Sequence, residues 1–104
     1  MNANKILPLT ETTFYIMISL LEPSHGYAIM QRVEELSNGR VRIAAGTMYG
    51  ATENLLKQKL IHEVPSPNED KRRRVYLLTD AGKEVLKLEV ERLKQLLLIA
   101  DELL

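Results

Sequence analysis

The chain has 104 residues, 45% hydrophobic and 27% charged, with no Cys and no Trp, a composition that fits one compact globular domain and excludes a disordered or collagenous chain. Fourteen Lys plus Arg balance fourteen Asp plus Glu, so net charge gives no reason for nonspecific attachment to nucleic acid or membrane, and the position of charge must carry that argument. Without Cys there are no disulfides, Cys-ligated zinc, iron–sulfur clusters or thiol nucleophiles. The histidines are His25 and His62, and no His-x-x-Glu-His or paired-carboxylate motif stands out. Packing or solvent exposure is therefore the expected state of both, and no enzyme, metal or cofactor is expected. The longest purely apolar run, Leu96 to Ala100, is far below the roughly 18 residues that span a bilayer, and Met1 to Leu9 has no basic region followed by a long apolar stretch. A soluble, unprocessed, cytoplasmic protein with no membrane partner is the expectation.

Thr10 to Glu22 carries Phe14, Met17, Ile18 and Leu21 at helical spacing between Pro8 and Pro23, which predicts a first helix with one buried stripe. Ser24 is a candidate cap for a second helix of about 12 residues, with Tyr27 in the core and a stop at Ser37-Asn38-Gly39. An exposed start of that helix would instead present N–H groups to a phosphate. Val41-Arg42-Ile43 reads as a short extended segment, after which Thr47 caps a third helix running to about Leu60. Ile61-His62-Glu63-Val64 and Arg74-Val75-Tyr76-Leu77-Leu78 are β-rich, and Pro65-Ser66-Pro67-Asn68-Glu69-Asp70 between them is dense in turn residues, so a hairpin with a long tip is predicted. From Thr79, a cap with Asp80 well placed for the helix dipole, a final helix of up to about 26 residues, roughly 39 Å long, reaches the end.

This order, mainly α with a small β-hairpin, is the winged helix-turn-helix arrangement. Residues 1–79 are expected to form the DNA-binding part and 80–104 a C-terminal dimerisation helix of the same compact unit. Charge is segregated along it: residues 1–39 and 80–104 each carry −2 and residues 40–79 carry +4, with Lys71, Arg72, Arg73 and Arg74 consecutive. A bare basic run is an ordinary solvated turn, but on a wing over 65–76, beside a helix-turn-helix, its guanidinium forks match phosphate oxygens. Winding the third helix at about 100° per residue puts Met48, Ala51, Thr52 and Leu55 inside and Thr47, Gly50, Glu53, Asn54 and Lys57 outside. The outer set is either a plain solvated face or a groove reader over about 47–60. As a reader, Asn54 would suit adenine, Lys57 guanine or phosphate, and Glu53 a cytosine amino group, while Gly50 allows close approach. Thr47 and Tyr49, near the helix start, are expected at phosphate or sugar.

In the last helix Leu86, Val90, Leu93, Leu97, Ala100 and Leu104 alternate four- and three-residue steps, a heptad seam that predicts a homodimer. The competing reading is a protein-interaction module in which this amphipathic helix meets a different protein and DNA is not bound.

The same segments resemble the PadR family of bacterial transcriptional regulators over nearly the whole chain. His25-Gly26-Tyr27-Ala28-Ile29 resembles the family's His-Gly-Tyr opening of the second helix, and Gly46-Thr47-Met48-Tyr49 its Gly-Thr-Leu-Tyr start of the recognition helix. Leu60-Ile61 and Arg73-Arg74-Val75-Tyr76-Leu77-Leu78-Thr79-Asp80-Ala81-Gly82 resemble its strand, wing and Leu-Thr-x-x-Gly entry into the final helix. Gly50 stands where many members have Pro, and Lys59 where many have Gly. The short length resembles the branch with a single C-terminal helix. The resemblance implies a homodimeric repressor of its own promoter or of detoxification and efflux genes, bound to double-stranded DNA at a near-palindromic operator. It also implies relief by a small apolar effector between the dimer halves, for which Leu93, Leu96 and Leu97 offer an aliphatic lining.

Overall fold

The structure, a computed structural model, describes residues 3–66 and 73–104. Among these, the elements in order are α1 (Ala3–Ile6), α2 (Glu11–Ser19), β1 (Ser24–His25), α3 (Gly26–Leu36), α4 (Ala45–Lys57), β2 (Ile61–Val64), β3 (Val75–Leu78) and α5 (Asp80–Leu103). The mainly helical chain with a small antiparallel hairpin and a long final helix has the winged helix-turn-helix order expected.

Helix ends follow local chemistry, with two departures. Thr10 Oγ1 accepts the Thr13 N–H at 3.1 Å and Thr79 Oγ1 accepts the Gly82 N–H at 3.0 Å, capping α2 and α5. The cap of α3 is His25, whose Nδ1 lies 3.4 Å from the Ala28 nitrogen, rather than Ser24. Helix α4 starts after Ala44, three residues before the expected cap Thr47 and without any side-chain cap. Ile43, buried in the core, fixes where the chain turns into α4, so packing overrides the better capping residue. Both α3 and α4 end in Schellman turns. Asn38 and Gly39 take positive φ after α3, and Lys59 does so after α4, with the Leu60 N–H donating to Leu55 O at 3.0 Å.

The sheet is antiparallel in the order β1-β3-β2. Register runs from Ile61 opposite Leu78 to Val64 opposite Val75, and β1 lies along the other edge with Ser24 opposite Tyr76. The third strand is thus Ser24-His25, not the extended Val41–Ile43 segment. That segment serves the core through Ile43, whereas Ser24-His25 finds the free backbone edge of β3.

One cluster of buried side chains joins every layer: Ile16, Met17 and Leu20 near α2, Ile29 and Val33 of α3, Met48 and Leu55 of α4, and Val85 and Leu86 of α5. The stripe on α2 is rotated from the expected one: Ile16 and Leu20 are buried while Leu21 is exposed. The helix is apolar on both sides, so the elements packed on it select the face. The hairpin and α5 are locked to this core through backbone. Leu78 N–H donates to Leu20 O at 2.9 Å and Thr79 N–H to Leu60 O at 3.0 Å, while Thr79 Oγ1 donates to Lys59 O at 2.7 Å. Gly82 lies so close that a Cβ there would sit 2.1 Å from Leu60 O, which accounts for glycine in the first turn of α5.

Candidate nucleic-acid interface

Helix α4 divides as its winding requires. Met48, Thr52 and Leu55 are buried and Ala51 is packed against the core, while Thr47, Tyr49, Gly50, Asn54 and Lys57 face solvent. Tyr49 is 64% exposed. Asn54 Oδ1 accepts from Gln58 Nε2 at 3.3 Å, a weak surface contact that leaves the amide available. The exposed set thus forms one polar stripe along a helix whose other side is anchored in the core.

Two residues expected on that surface satisfy each other. Arg74 Nη1 donates to Glu53 Oε1 at 2.8 Å and Arg74 Nε to Glu63 Oε1 at 3.1 Å, with the guanidinium carbon 5.4 Å from the centre of the Tyr76 ring. These bonds from Glu53 and Glu63 hold the Arg74 pKa above its ordinary value. Burial pushes the Tyr76 phenol up, against the pull of Arg74. Arg74 therefore ties the base of the hairpin to the middle of α4, and Glu53 is turned toward the wing. Arg73, two residues before β3, places Nη1 3.2 Å from His25 Nε2 at the start of α3. Lys71 and Arg72 lie outside the described residues.

Tyr27 was expected in the core and is 65% exposed. Its hydroxyl lies 3.4 Å from Gln31 Nε2, and with Met30, Met48 and Tyr49 it lines a groove of 290 Å³ between α3 and α4. The phase of the helix carried that signal: Ile29 and Val33 set the inward direction, and Tyr27 falls about 200° from Ile29. His25, Gly26, Tyr27, Arg73, Arg74 and Tyr76 line a second concavity beside it. The starts of α3 and α4 and the base of the wing thus form one continuous surface.

The seam residues of α5 divide between two environments. Leu86 is buried in the core and Val90 half-buried, so Leu86 packs within its own chain, whereas Leu93, Leu97 and Leu104 are exposed and Ala100 half-exposed. Leu96 is exposed beside them. No helix among the described residues is long and apolar enough to cross a membrane, and no cluster of His, Asp or Glu among them is disposed to hold a metal.

Comparison with known proteins agrees with this geometry. Among solved structures, the chain is similar to a PadR family transcriptional regulator from Eggerthella lenta, at 27% identity over 96% of this chain and 81% of that one, with a TM-score of 0.66. A PadR family transcription regulator from Clostridium difficile shares the fold at 24% identity, covering 86% and 95% of the two chains, with a TM-score of 0.70. A transcriptional regulator from Clostridium thermocellum shares it at 21% identity, covering 90% and 92%, also with a TM-score of 0.70. A 37.1 kDa protein in a transposon of Streptomyces fradiae is 37% identical over 75 residues, which are 71% of this chain and 20% of that protein. The chain thus spans about a fifth of the length of that curated relative. Family and fold are those of DNA-binding regulators rather than of catalytic enzymes. Residues 16–88, from the middle of α2 through the first turns of α5, match the transcriptional regulator PadR-like family, and the chain belongs to it.

Proposed function

We propose that the chain is a homodimeric, sequence-specific repressor of transcription that reads a near-palindromic operator. The observation that carries this reading is the polar stripe of α4, held proud of the core beside the base of a wing, within the one segment of the chain that is net positive. In this reading Asn54 and Lys57 meet base edges and Gly50 lets α4 approach the groove floor. Thr47, Tyr49 and the exposed Tyr27 meet phosphate and sugar. Lys71, Arg72 and Arg73 follow the backbone at the wing, and Arg74, with Glu53, sets the angle between wing and helix. Two α4 helices about 34 to 36 Å apart enter successive major grooves and exclude RNA polymerase from the site. The distal part of α5, through Val90, Leu93, Leu97, Ala100 and Leu104, joins the two copies. A small apolar effector acting on Leu93, Leu96 and Leu97 would change that joint, and with it the spacing of the reading helices.

Fluorescence anisotropy on the DNA upstream of the chain's own gene, against a scrambled duplex and at several salt concentrations, tests the reading. Site-selective binding whose log affinity falls with log salt at a slope of about −5 to −9, equivalent to about six to ten phosphates, is expected. Asn54→Ala should reduce the preference for the specific duplex more than the affinity for the scrambled one. Equal affinity of the native chain for both duplexes at every salt concentration would remove the sequence-reading role. The exposed apolar face of α5 favours one second reading, docking of a different protein, and a chain that stays monomeric at micromolar concentration would support it.

A further inference from the structure

His25 joins two elements. It ends β1, opposite Val75 of β3, and it caps α3, where its Nδ1 accepts the Ala28 N–H at 3.4 Å. On the far side of the ring, Nε2 lies 3.2 Å from Arg73 Nη1. Both neighbours are donors, because a guanidinium and a backbone N–H have no lone pair to offer. A neutral imidazole carries one nitrogen that accepts and one that donates. Whichever tautomer it holds, one ring N–H therefore points at another donor, and the ring is short of an acceptor to face it. Together with Gly26, Tyr27, Arg74 and Tyr76, the two side chains line a concavity of 380 Å³.

Gly26 gives an independent sign of an occupant. It is the first residue of α3, its φ is not positive, and a Cβ there would meet nothing within 4 Å. Neither packing nor backbone conformation within the chain calls for glycine, and alanine is the better helix former. Bare backbone at such a place leaves room for a group from outside the chain to come close.

We propose that one phosphodiester of the DNA backbone occupies this concavity, gripped jointly by His25 and Arg73, an assignment that rests on the DNA-binding reading above and deepens it. His25, whose expected state from the sequence is packing or exposure, becomes a ligand of the phosphate, and the start of α3 and the base of the wing hold the same phosphate rather than separate ones. With Nδ1 still accepting from Ala28, the ring carries its proton on Nε2 and donates it to one phosphate oxygen. Arg73 turns its Nη1–H from the ring to the other free oxygen of the same group. A phosphodiester only accepts through these oxygens, so two donors that faced each other now face it. The Tyr27 hydroxyl accepts from Gln31 Nε2 at 3.4 Å and keeps its own proton for the same anion. Arg74 stays with Glu53 and Glu63. Duplex DNA is the source because Gly26 and Tyr27 also line the groove that runs to Tyr49, so a duplex lying along α4 brings its backbone here. Binding also firms the cap of α3, since the tautomer that donates to phosphate is the one whose Nδ1 accepts from Ala28.

A backbone contact is independent of sequence, so a scrambled duplex at low salt tests it without knowledge of the operator. Nitrogen-15 correlation spectra of the His25 ring at about pH 8, where an ordinary imidazole is neutral, should place its proton on Nε2 in the complex. Millimolar inorganic phosphate alone should leave the ring unchanged. A proton on Nδ1 in the complex would overturn the assignment, and a full response to millimolar inorganic phosphate would overturn the DNA backbone as the source of the anion. His25→Ser keeps a favoured cap and loses the ring N–H, so it should retain the native melting temperature and bind the scrambled duplex about tenfold more weakly. Arg73→Ala should weaken it to a similar degree, and the double variant by much less than the product of the two losses, because both side chains hold one phosphate. Losses that multiply fully would put the two residues on separate phosphates and overturn the shared site. Gly26→Ala should raise the melting temperature and lower duplex affinity, opposite signs that a purely structural glycine does not give. Unchanged affinity in that variant would overturn the close approach. Equal affinity of the native chain for its own upstream duplex and the scrambled one would remove sequence reading and leave this site standing. A native chain that binds neither duplex at low salt would overturn both.

Discussion

Over Asp80–Glu89, α5 is part of the core, with Gly82, Val85, Leu86 and Glu89 buried. From Val90 onward a similar leucine-rich pattern meets solvent, and Leu97 is 61% exposed. The periodicity is continuous across the boundary, so it cannot be what separates the two halves. What differs is what lies opposite: α1, α2 and β3 pack on α5, and the buried residues of the helix, Gly82, Val85, Leu86 and Glu89, all lie in its proximal half. A heptad seam states that a helix will be covered along one side, and the tertiary structure states how much of the covering comes from within the same chain.

The largest test of this contrast is at the joint that seats the proximal half. Gly82→Ala puts a Cβ 2.1 Å from Leu60 O and 2.9 Å from Leu78 Cδ2. It should cost about 3 kcal/mol in urea unfolding, because backbone rather than a flexible side chain must move. Next is a matched truncation across the boundary. Val85→Ala, at a fully buried position of the proximal half, should cost about 2 kcal/mol at any protein concentration. Leu97→Ala should leave the dilute chain within about 0.5 kcal/mol of native and show its effect as weaker self-association at micromolar concentration. Equal, concentration-independent losses for the two would abolish the distinction between the halves.

Glu89 marks the boundary and gives a pH-dependent test. It is 1% exposed, with Oε1 2.5 Å from Arg92 Nε and Oε2 accepting the Leu9 N–H at 2.6 Å. The Arg92 bond, opposed by burial and aided by the Leu9 N–H, holds its carboxyl below the ordinary 4.5. A depressed folded-state pKa contributes stability that is complete above the ordinary value and is lost as pH falls through the depressed one. Glu89→Gln should therefore cost about 1 to 2 kcal/mol at neutral pH, and its deficit should shrink below about pH 4.5. A deficit that stays constant into acid would show that the ion pair is not its source. The remaining expected effect is a gain. Lys59 holds a φ of +61° at the end of α4, beside the Leu60 carbonyl that packs on Gly82, and Lys59→Gly should raise stability by about 1 kcal/mol in thermal unfolding.

The division of α4 into an inner and an outer face was legible because it is a short amphipathic helix whose inner face, Met48, Thr52 and Leu55, follows from winding alone. The Thr79 cap and the Ser37-Asn38-Gly39 stop were legible for the same reason: their hydrogen bonds close within a few residues. A tyrosine amid apolar residues reads as core, but the phase set by Ile29 and Val33 turns Tyr27 outward. In the sequence Glu53 and Arg74 look like independent DNA contacts, since residues 21 positions apart disclose no pairing until the hairpin folds against α4.

Taken by itself, the order of residues determined where helices start and stop when the cap is a local side chain, which faces of α4 and α5 are apolar, and where positive charge concentrates. All of these depend on neighbours within one or two turns. Tertiary structure alone decided that Ser24-His25 joins the sheet, that Ala44 rather than Thr47 opens α4, that Arg74 bridges wing and helix, and that Glu89 is buried against Leu9. Each of those requires groups distant in sequence to meet, and desolvation and hydrogen-bond pairing between such groups are set by the packing of whole elements rather than by any local pattern.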